Sequence, residues 1–158
     1  MRMHHSTSRR GSIAPLIAIA LVPVLAIAAL AIDGGLQLDY KRQTYAAADA
    51  SALAAAADLF KNYDANKGYD TNGTAAASAK TTASAHGYTN GANNALVNVF
   101  IPPKTGPFTD KPEYAEVTIQ YNMPRYFSSI LGTTALPVYS RAVARGAYKN
   151  IGVGIQLT

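Results

Sequence analysis

The hydrophobic pattern of the chain begins with one long apolar segment. Residues 12–32 carry no charged side chain, and as an α-helix these 21 residues would span about 31 Å. The hydrocarbon core of a bilayer is about 30 Å thick, so the segment predicts a transmembrane helix. Pro23 lies in its interior and removes one helical hydrogen bond, which favours a kink at that point.

Three processing routes are compatible with this segment. Retention as a permanent anchor fits its length best, because the apolar region of a cleaved signal peptide is shorter, about 7–15 residues. Cleavage near Ala31 is one alternative, and a twin-arginine export signal at Arg9-Arg10 is the other. Because arginines precede the segment, the positive-inside tendency places residues 1–11 in the cytoplasm and residues 33–158 outside it.

A second periodic segment, residues 36–63, follows the glycine pair Gly34-Gly35, which we expect to act as a flexible joint. Its many strong helix formers predict an amphipathic helix of about eight turns. The predicted buried face comprises Tyr45, Asp49, Ala52, Leu53, Ala56, Leu59, Phe60 and Tyr63. The alanines of this helix would let another backbone approach closely.

One carboxylate, Asp49, lies in the middle of that predicted face, where an unpaired charge would be costly. One interpretation is an ion pair with Arg141, with Arg145 or with a neighbouring subunit. The alternative is that the face is shallow at this point and Asp49 reaches water. The sequence leaves both open.

The stretch 62–73 is rich in glycine, asparagine and aspartate and predicts a loop. Four oxygen donors alternate along it: Asp64, Asn66, Asp70 and Asn72. This alternation is compatible with calcium, but the spacing lacks the glycine of an EF-hand loop, and turn chemistry is the favoured interpretation. A second, polar helix is predicted over residues 74–88, with its end at Gly87.

The second half of the chain changes to a period of two. Three segments rich in Val, Ile and Tyr predict strands over residues 95–101, 113–121 and 135–148. Pro137 places the start of the last strand at a sheet edge or at a bulge. Helices followed by strands predict an α+β domain in which the long helix packs on a small antiparallel sheet.

Residues 124–132, between the last two strands, predict a short helix closed by Gly132. Its four large side chains are Tyr126, Phe127, Ile130 and Leu131. We expect them to bury against the long helix near Leu53 and Phe60, because a short apolar segment between two strands has no other surface to cover.

Charge and composition argue against several function classes. The net charge is +5, but Arg2, Arg9 and Arg10 are three of the 14 basic residues, and from Asp33 onward eleven basic residues face nine acidic ones. A basic stripe with interleaved aromatics is missing, so nucleic-acid binding is not expected. The sequence has no cysteine, no HExxH motif and no phosphate-binding glycine loop. We therefore expect neither an enzyme nor a protein that depends on a cofactor or metal.

Several stretches share one order and spacing with a known family. The first half combines Arg10-Gly11, an apolar segment ending near Asp33, and the helix AADASALA at residues 47–54. The second half contains VFIPPKTGPF, EYAEVTIQYNMPRYFSSILG and LPVYSRAVARG. Together these resemble the TadE/TadG-like family of the bacterial Tad (tight adherence, Flp pilus) assembly system. The fifth residue after Gly11 is Leu16 instead of the glutamate of processed pilins, which favours the TadG-like branch with a retained anchor.

The resemblance implies a structural protein of the bacterial inner membrane that assists pilus assembly. It implies a basic cytoplasmic N-terminus (1–11), a transmembrane helix (12–32) and a periplasmic pilin-like α+β domain (33–158). The apolar, alternating residues 151–158 favour either a final strand or a chain cut from a longer protein. The implied partners are membrane lipid, other pilus-assembly or pilin subunits and further copies of the chain. Two alternatives stay open: a filament subunit with the apolar helix as filament core, and a secreted surface-binding module cleaved near Ala31.

Overall fold

The computed structural model describes residues 13–127, 129 and 135–147. Within these residues the elements in chain order are α1 (Ile13–Lys61), α2 (Tyr63–Asn66), α3 (Thr74–Ala85), β1 (Ala95–Phe100), β2 (Tyr114–Met123) and β3 (Leu136–Arg145). The three strands form one antiparallel sheet in the order β1-β2-β3, and the long N-terminal helix packs on it. The predicted α+β fold class is therefore confirmed.

The long helix α1 runs without interruption for 49 residues through Pro23, Gly34 and Gly35. The glycine pair is helical, so the flexible joint expected there is contradicted. Each glycine costs a helix about 1 kcal/mol relative to alanine, but strong helix formers on both sides keep the helix continuous, because helix formation is cooperative. A single rod of about 73 Å therefore joins the apolar segment to the domain.

The second helix, α3, begins and ends close to its predicted bounds. Gly87, at a φ of 91°, closes it in a Schellman motif: Tyr88 N–H donates to the Ala83 carbonyl and Gly87 N–H to the Ser84 carbonyl. α3 packs mainly on α1, through Ala75, Ala79 and Ala83, all of which are fully buried. The sequence pattern of α3 looks polar and does not predict this contact, because the buried residues are alanines, which are only weakly hydrophobic.

The sheet has one face toward α1 and one face away from it. β2 pairs with β1 from Ala95↔Tyr121 to Phe100↔Glu116, and with β3 from Tyr114↔Arg145 to Met123↔Leu136. Odd-numbered residues of β1 and β2 and even-numbered residues of β3 point into the core, including Val97, Val117, Ile119 and Ala142. β3 runs parallel to α1, because Ser140 bonds to the Thr44 carbonyl while Gly146 lies beside Ala56. β3 also lies at a sheet edge, one of the two positions that Pro137 predicted.

The buried face of α1 differs from the predicted one. Its members beyond residue 40 are Thr44, Ala47, Ala48, Ser51, Ala52, Ala55, Ala56 and Leu59. Ala52, Ala56 and Leu59 are buried as predicted, but Leu53 is 64% exposed and Tyr45 is 42% exposed, so these two large side chains lie outside the core. The physical reason is close packing of backbones: a Cβ at Gly146 would lie 2.1 Å from the Ala56 carbonyl oxygen, and only small residues allow that approach.

Candidate functional site

The first part of the candidate site is the apolar half of α1, residues 13–32. Its side chains lie outside the packed domain, and Asp33 is the first buried residue along the helix. Among the described residues, α1 is the one helix whose length and composition are sufficient to cross a membrane. An exposed apolar surface of this size fits a membrane-anchored protein.

Asp33 joins the end of the apolar half to the segment between β2 and β3. The residue is 3% exposed, and its Oδ1 accepts a hydrogen bond of 3.2 Å from the backbone N–H of Phe127. A buried carboxylate requires hydrogen-bond donors of this kind, since its desolvation is costly. The bond fixes Phe127, 94 residues later in the chain, at the point where the packed domain begins.

Tyr126 and Phe127 do not lie where the sequence predicted. Their side chains are 52% and 53% exposed, and they lie beside the start of the domain instead of near Leu53 and Phe60. β2 leaves the sheet at the end nearest to Asp33, about 30 Å along α1 from Leu53, so the predicted contact is out of reach. The prediction of their burial was wrong.

The same region holds an aromatic cluster that the sequence analysis missed. The Tyr40 ring lies 5.1 Å from the Tyr121 ring, which lies 5.7 Å from the Tyr88 ring in an edge-to-face arrangement. A hydrogen bond with the Tyr40 side chain raises the pKa of Tyr126. The cluster ties α1, β2 and the end of α3 together next to Tyr126. Ile130 and Leu131, predicted to bury with it, lie outside the described residues.

Asp49 lies on the exposed side of α1. Its predicted partners lie on the far side of the sheet, where Arg141 pairs with Glu116 and Arg145 pairs with Glu113. The predicted pair within one chain is therefore contradicted. Side chains alternate along a strand, so β3 turns its even-numbered residues toward α1 and both arginines away from it. A pair between Asp49 and a neighbouring subunit stays a prediction.

The Arg141–Glu116 pair holds the loop between β1 and β2 on the outer face of the sheet. Glu116 is 1% exposed and accepts hydrogen bonds from the backbone N–H groups of Lys104 and Thr105, at 2.8 Å and 3.1 Å, and from the Thr105 hydroxyl. Burial raises the pKa of Glu116, but the bonds from Thr105, Arg141 and the two backbone groups outweigh burial, so the net pKa is lowered. The pair serves the loop's structure.

The second arginine, Arg145, closes the end of the domain farthest from Asp33. Its Nη2 lies 2.5 Å from Glu113 Oε2, and Tyr63 O–H donates to Glu113 Oε1 over 3.0 Å. Hydrogen bonds from Arg145 and Tyr63 lower the pKa of Glu113. The guanidinium also lies 5.7 Å from the centre of the Tyr114 ring, which stacks on Phe108 at 4.4 Å.

The stretch 62–73, predicted as a loop, contains the one-turn helix α2, and its Asp70 caps the next helix. Both Asp70 carboxylate oxygens accept backbone hydrogen bonds, from Ala75 N–H at 3.0 Å and from Ala76 N–H at 2.9 Å. These groups would otherwise be unsatisfied at the start of α3, and a negative charge is favourable there. Across the described part of the chain, no group of three His, Cys, Asp or Glu side chains is placed to hold a metal ion.

The second part of the candidate site is an exposed band on α1, which we call the outer stripe. Its members are Leu38, Arg42, Tyr45, Asp49 and Leu53, all exposed. At 100° per residue they fall within a sector of about 80° on one side of the helix. Leu38 and Tyr45, and Arg42 and Asp49, are each seven residues apart, so the stripe repeats along the helix. Two of the large side chains that the sequence assigned to the core, Tyr45 and Leu53, belong here.

Comparison with known proteins gives one match. Residues 11–58, under a third of the chain, match the family model described as "Putative Flp pilus-assembly TadE/G-like". The match covers α1 from its apolar half through the outer stripe, and it supports the resemblance read from the sequence. No curated protein and no solved structure matches the chain.

Proposed function

We propose that the chain is a TadG-like component of a Tad (Flp) pilus-assembly system, anchored in the bacterial inner membrane by α1. The apolar half of α1 spans the bilayer, the residues before it stay in the cytoplasm and the domain from residue 33 onward lies in the periplasm. The observation that carries the proposal is the exposed apolar half of α1, which leads without a joint into the packed domain. The family match over the same residues supports the pilus role.

The proposed action is structural. The buried carboxylates of the described domain, Asp33 and Glu116, each accept hydrogen bonds from backbone N–H groups and hold loops in place. What the domain offers to partners is surface, above all the outer stripe. Because α1 is continuous, a partner bound at the stripe is held at a fixed height above the membrane, as expected of an assembly factor acting through protein contacts.

A reporter fusion tests the topology. Alkaline phosphatase, which is active only after export, is fused after Thr158, and we expect activity in whole cells. The matched control carries Arg9→Glu and Arg10→Glu, which remove the charge bias and should reduce the active fraction. An inactive fusion on the unaltered chain would overturn the topology.

A fractionation and a complementation experiment test the role. We expect the native protein in the membrane pellet with its N-terminus intact. Deletion of the gene should abolish surface pili, and the full chain should restore them. A protein that begins at Ile32 and stays in the supernatant would instead support the secreted module cleaved near Ala31. Normal piliation of the deletion strain would overturn the assembly role.

A second candidate function, a filament subunit, is favoured by the seven-residue repeat of the outer stripe. A parallel copy shifted by seven residues, about 10.5 Å, places Leu38 of one copy beside Tyr45 of the next and Arg42 beside Asp49. In register, two Asp49 side chains would face each other and repel. The shifted contact pairs unlike residues of the two copies and is therefore heterologous, and heterologous contacts build open filaments where the rotation between copies does not close.

The seven-residue shift between copies distinguishes the two candidate functions. Copies embedded in one bilayer hold their apolar segments at similar depth, and a displacement of about 10.5 Å is a third of the hydrocarbon thickness. The shifted contact therefore belongs to copies that have left the bilayer. Since the chain has no cysteine, Ala46→Cys with Leu53→Cys should form disulfide ladders in sheared filaments, and Gln43→Cys with Ala50→Cys on another side of α1 should not. Recovery in membranes without ladders would reject the filament subunit.

A further inference from the structure

Two exposed aromatic side chains lie at the end of the domain that begins at Asp33. Phe127 is fixed there by the hydrogen bond from its backbone N–H to the Asp33 carboxylate, and Tyr126 by its bond with Tyr40. Both rings are about half exposed although they neighbour a well-packed aromatic cluster. In a soluble domain we would expect other residues to cover two adjacent aromatic side chains, but here the described residues leave about half of each side chain exposed.

The position of Asp33 indicates that the lipid headgroup layer covers the two aromatic side chains. It is the first residue after the 21-residue apolar segment, whose length as a helix matches the hydrocarbon core. With that segment in the membrane, Asp33 lies at the boundary between hydrocarbon and headgroups. Each headgroup layer is about 5–8 Å thick. The Phe127 nitrogen, 3.2 Å from Asp33 Oδ1, then lies within or directly above that layer.

The chemistry of the pair fits that layer. Tyrosine is enriched at membrane interfaces, because its ring is apolar and its hydroxyl can bond to water or headgroups. Phenylalanine gains from burial among acyl chains.

We propose that Tyr126 and Phe127 form a second attachment of the domain to the bilayer, inserted into the lipid headgroup layer on the side where the domain lies. The proposal rests on the membrane anchoring proposed above. A single helix leaves the domain free to rotate and tilt about the anchor. A second contact beside the anchor fixes the orientation of the domain, so that the outer stripe faces along the membrane in a set direction.

The chain contains no tryptophan, so one introduced tryptophan is a unique fluorescent probe. The full-length protein is reconstituted in phosphatidylcholine vesicles with and without bromine atoms on the acyl chains, which quench tryptophan on contact. The test variants are Phe127→Trp and, separately, Tyr126→Trp. The distal control is Tyr69→Trp, which is 55% exposed and follows the far end of α1 in the chain. That end of α1 lies about 42 Å from Asp33 along the helix. Leu21→Trp, in the middle of the apolar segment, reports insertion of the anchor.

We expect brominated lipid to quench Phe127→Trp and Tyr126→Trp, with emission shifted to shorter wavelength than that of Tyr69→Trp, which should be unaffected. Leu21→Trp should be quenched most. If Leu21→Trp is quenched while both test variants behave like Tyr69→Trp, the second attachment is overturned and the anchor stands. If Leu21→Trp is not quenched, the anchor fails and the attachment proposed from it fails with it.

Discussion

Arg141 Nε lies 2.6 Å from Glu116 Oε1, and that carboxylate is 1% exposed while the arginine is 40% exposed. The buried member of the pair therefore depends on the exposed one. Thr105 shares in the contact, because its carbonyl accepts a 2.7 Å bond from Arg141 Nη2. The loop between β1 and β2 is thus held to β3 through a side-chain network as well as through its own backbone.

Arg141→Ala should lower the free energy of unfolding by about 2 kcal/mol, because it removes a charged hydrogen-bond donor from a buried carboxylate. Chemical denaturation of the full chain in detergent measures the loss. Arg145→Ala is the matched control on the same strand. Its partner Glu113 is 27% exposed, so water can replace the lost contact and the loss should be smaller. Equal losses would contradict the different roles of the two pairs.

The two glutamates also predict acid sensitivity. The folded-state pKa values of Glu113 and Glu116 are lowered from an ordinary value of 4.5. Groups of this kind stabilise the fold fully above the unfolded pKa, and the contribution is lost as pH falls through the folded pKa. The denaturation midpoint should therefore hold steady from about pH 7 to pH 5 and fall below about pH 4.5. Glu113→Gln with Glu116→Gln should start lower and depend less on pH; an unchanged slope would contradict this origin.

The main difference between the sequence-based prediction and the structure concerns the role of alanine in the core. Strand periods, the αL glycine at Gly87 and the edge proline at Pro137 are local signals, and each predicted its element correctly. The buried face of α1 was predicted only in part, because large side chains such as Tyr45 and Leu53 were taken as core. In the structure Ala47, Ala48 and Ala55 make the core by letting backbones approach, and hydrophobicity alone does not distinguish that case. Which side chains pair across the sheet, as Arg141 and Glu116 do, depends on the register between strands, and the register cannot be predicted from these local signals.

Close backbone approach predicts one severe substitution. In Gly146→Ala the new Cβ would meet the Ala56 carbonyl oxygen at 2.1 Å and the Leu59 Cβ at 2.8 Å, and neither backbone can move without opening the core. The loss should reach about 3 kcal/mol, the upper end for an overpacked core. Gly34→Ala is the matched control: its Cβ would meet nothing within 4 Å, and in a helix it should stabilise by about 0.5–1 kcal/mol. Thermal unfolding in detergent distinguishes the two, and equal effects would contradict the packing described.

The exposure of Phe127 predicts a mild substitution. With its side chain 53% exposed, Phe127→Ala should lower the free energy of unfolding by under about 1 kcal/mol in detergent, whereas Leu59→Ala, at 3% exposure, should cost about 2–5 kcal/mol. A loss of about 3 kcal/mol or more at Phe127 would restore the burial that the sequence predicted. The same measurement therefore checks that Phe127 is free to contact lipid.

The last prediction concerns Arg42 and Asp49. No basic residue lies three or four positions from Asp49 on α1, and Arg42 is about 10.5 Å away along the helix, so the two cannot pair within one chain. In copies shifted by seven residues they meet. Arg42→Asp or Asp49→Arg alone would put like charges in that contact and should reduce the protein recovered in sheared filaments.

Exchanging both residues, Arg42→Asp with Asp49→Arg, restores opposite charges across the shifted contact and should recover part of the loss. Both positions are exposed, so neither change should alter the thermal unfolding of the domain, and unfolding curves serve as the folding control. High salt should weaken the unaltered and exchanged contacts alike, because exposed charges are screened. A double exchange that loses as much as the two single changes added together would show that Asp49 has no such partner, and Asp49 would then be ordinary helix surface.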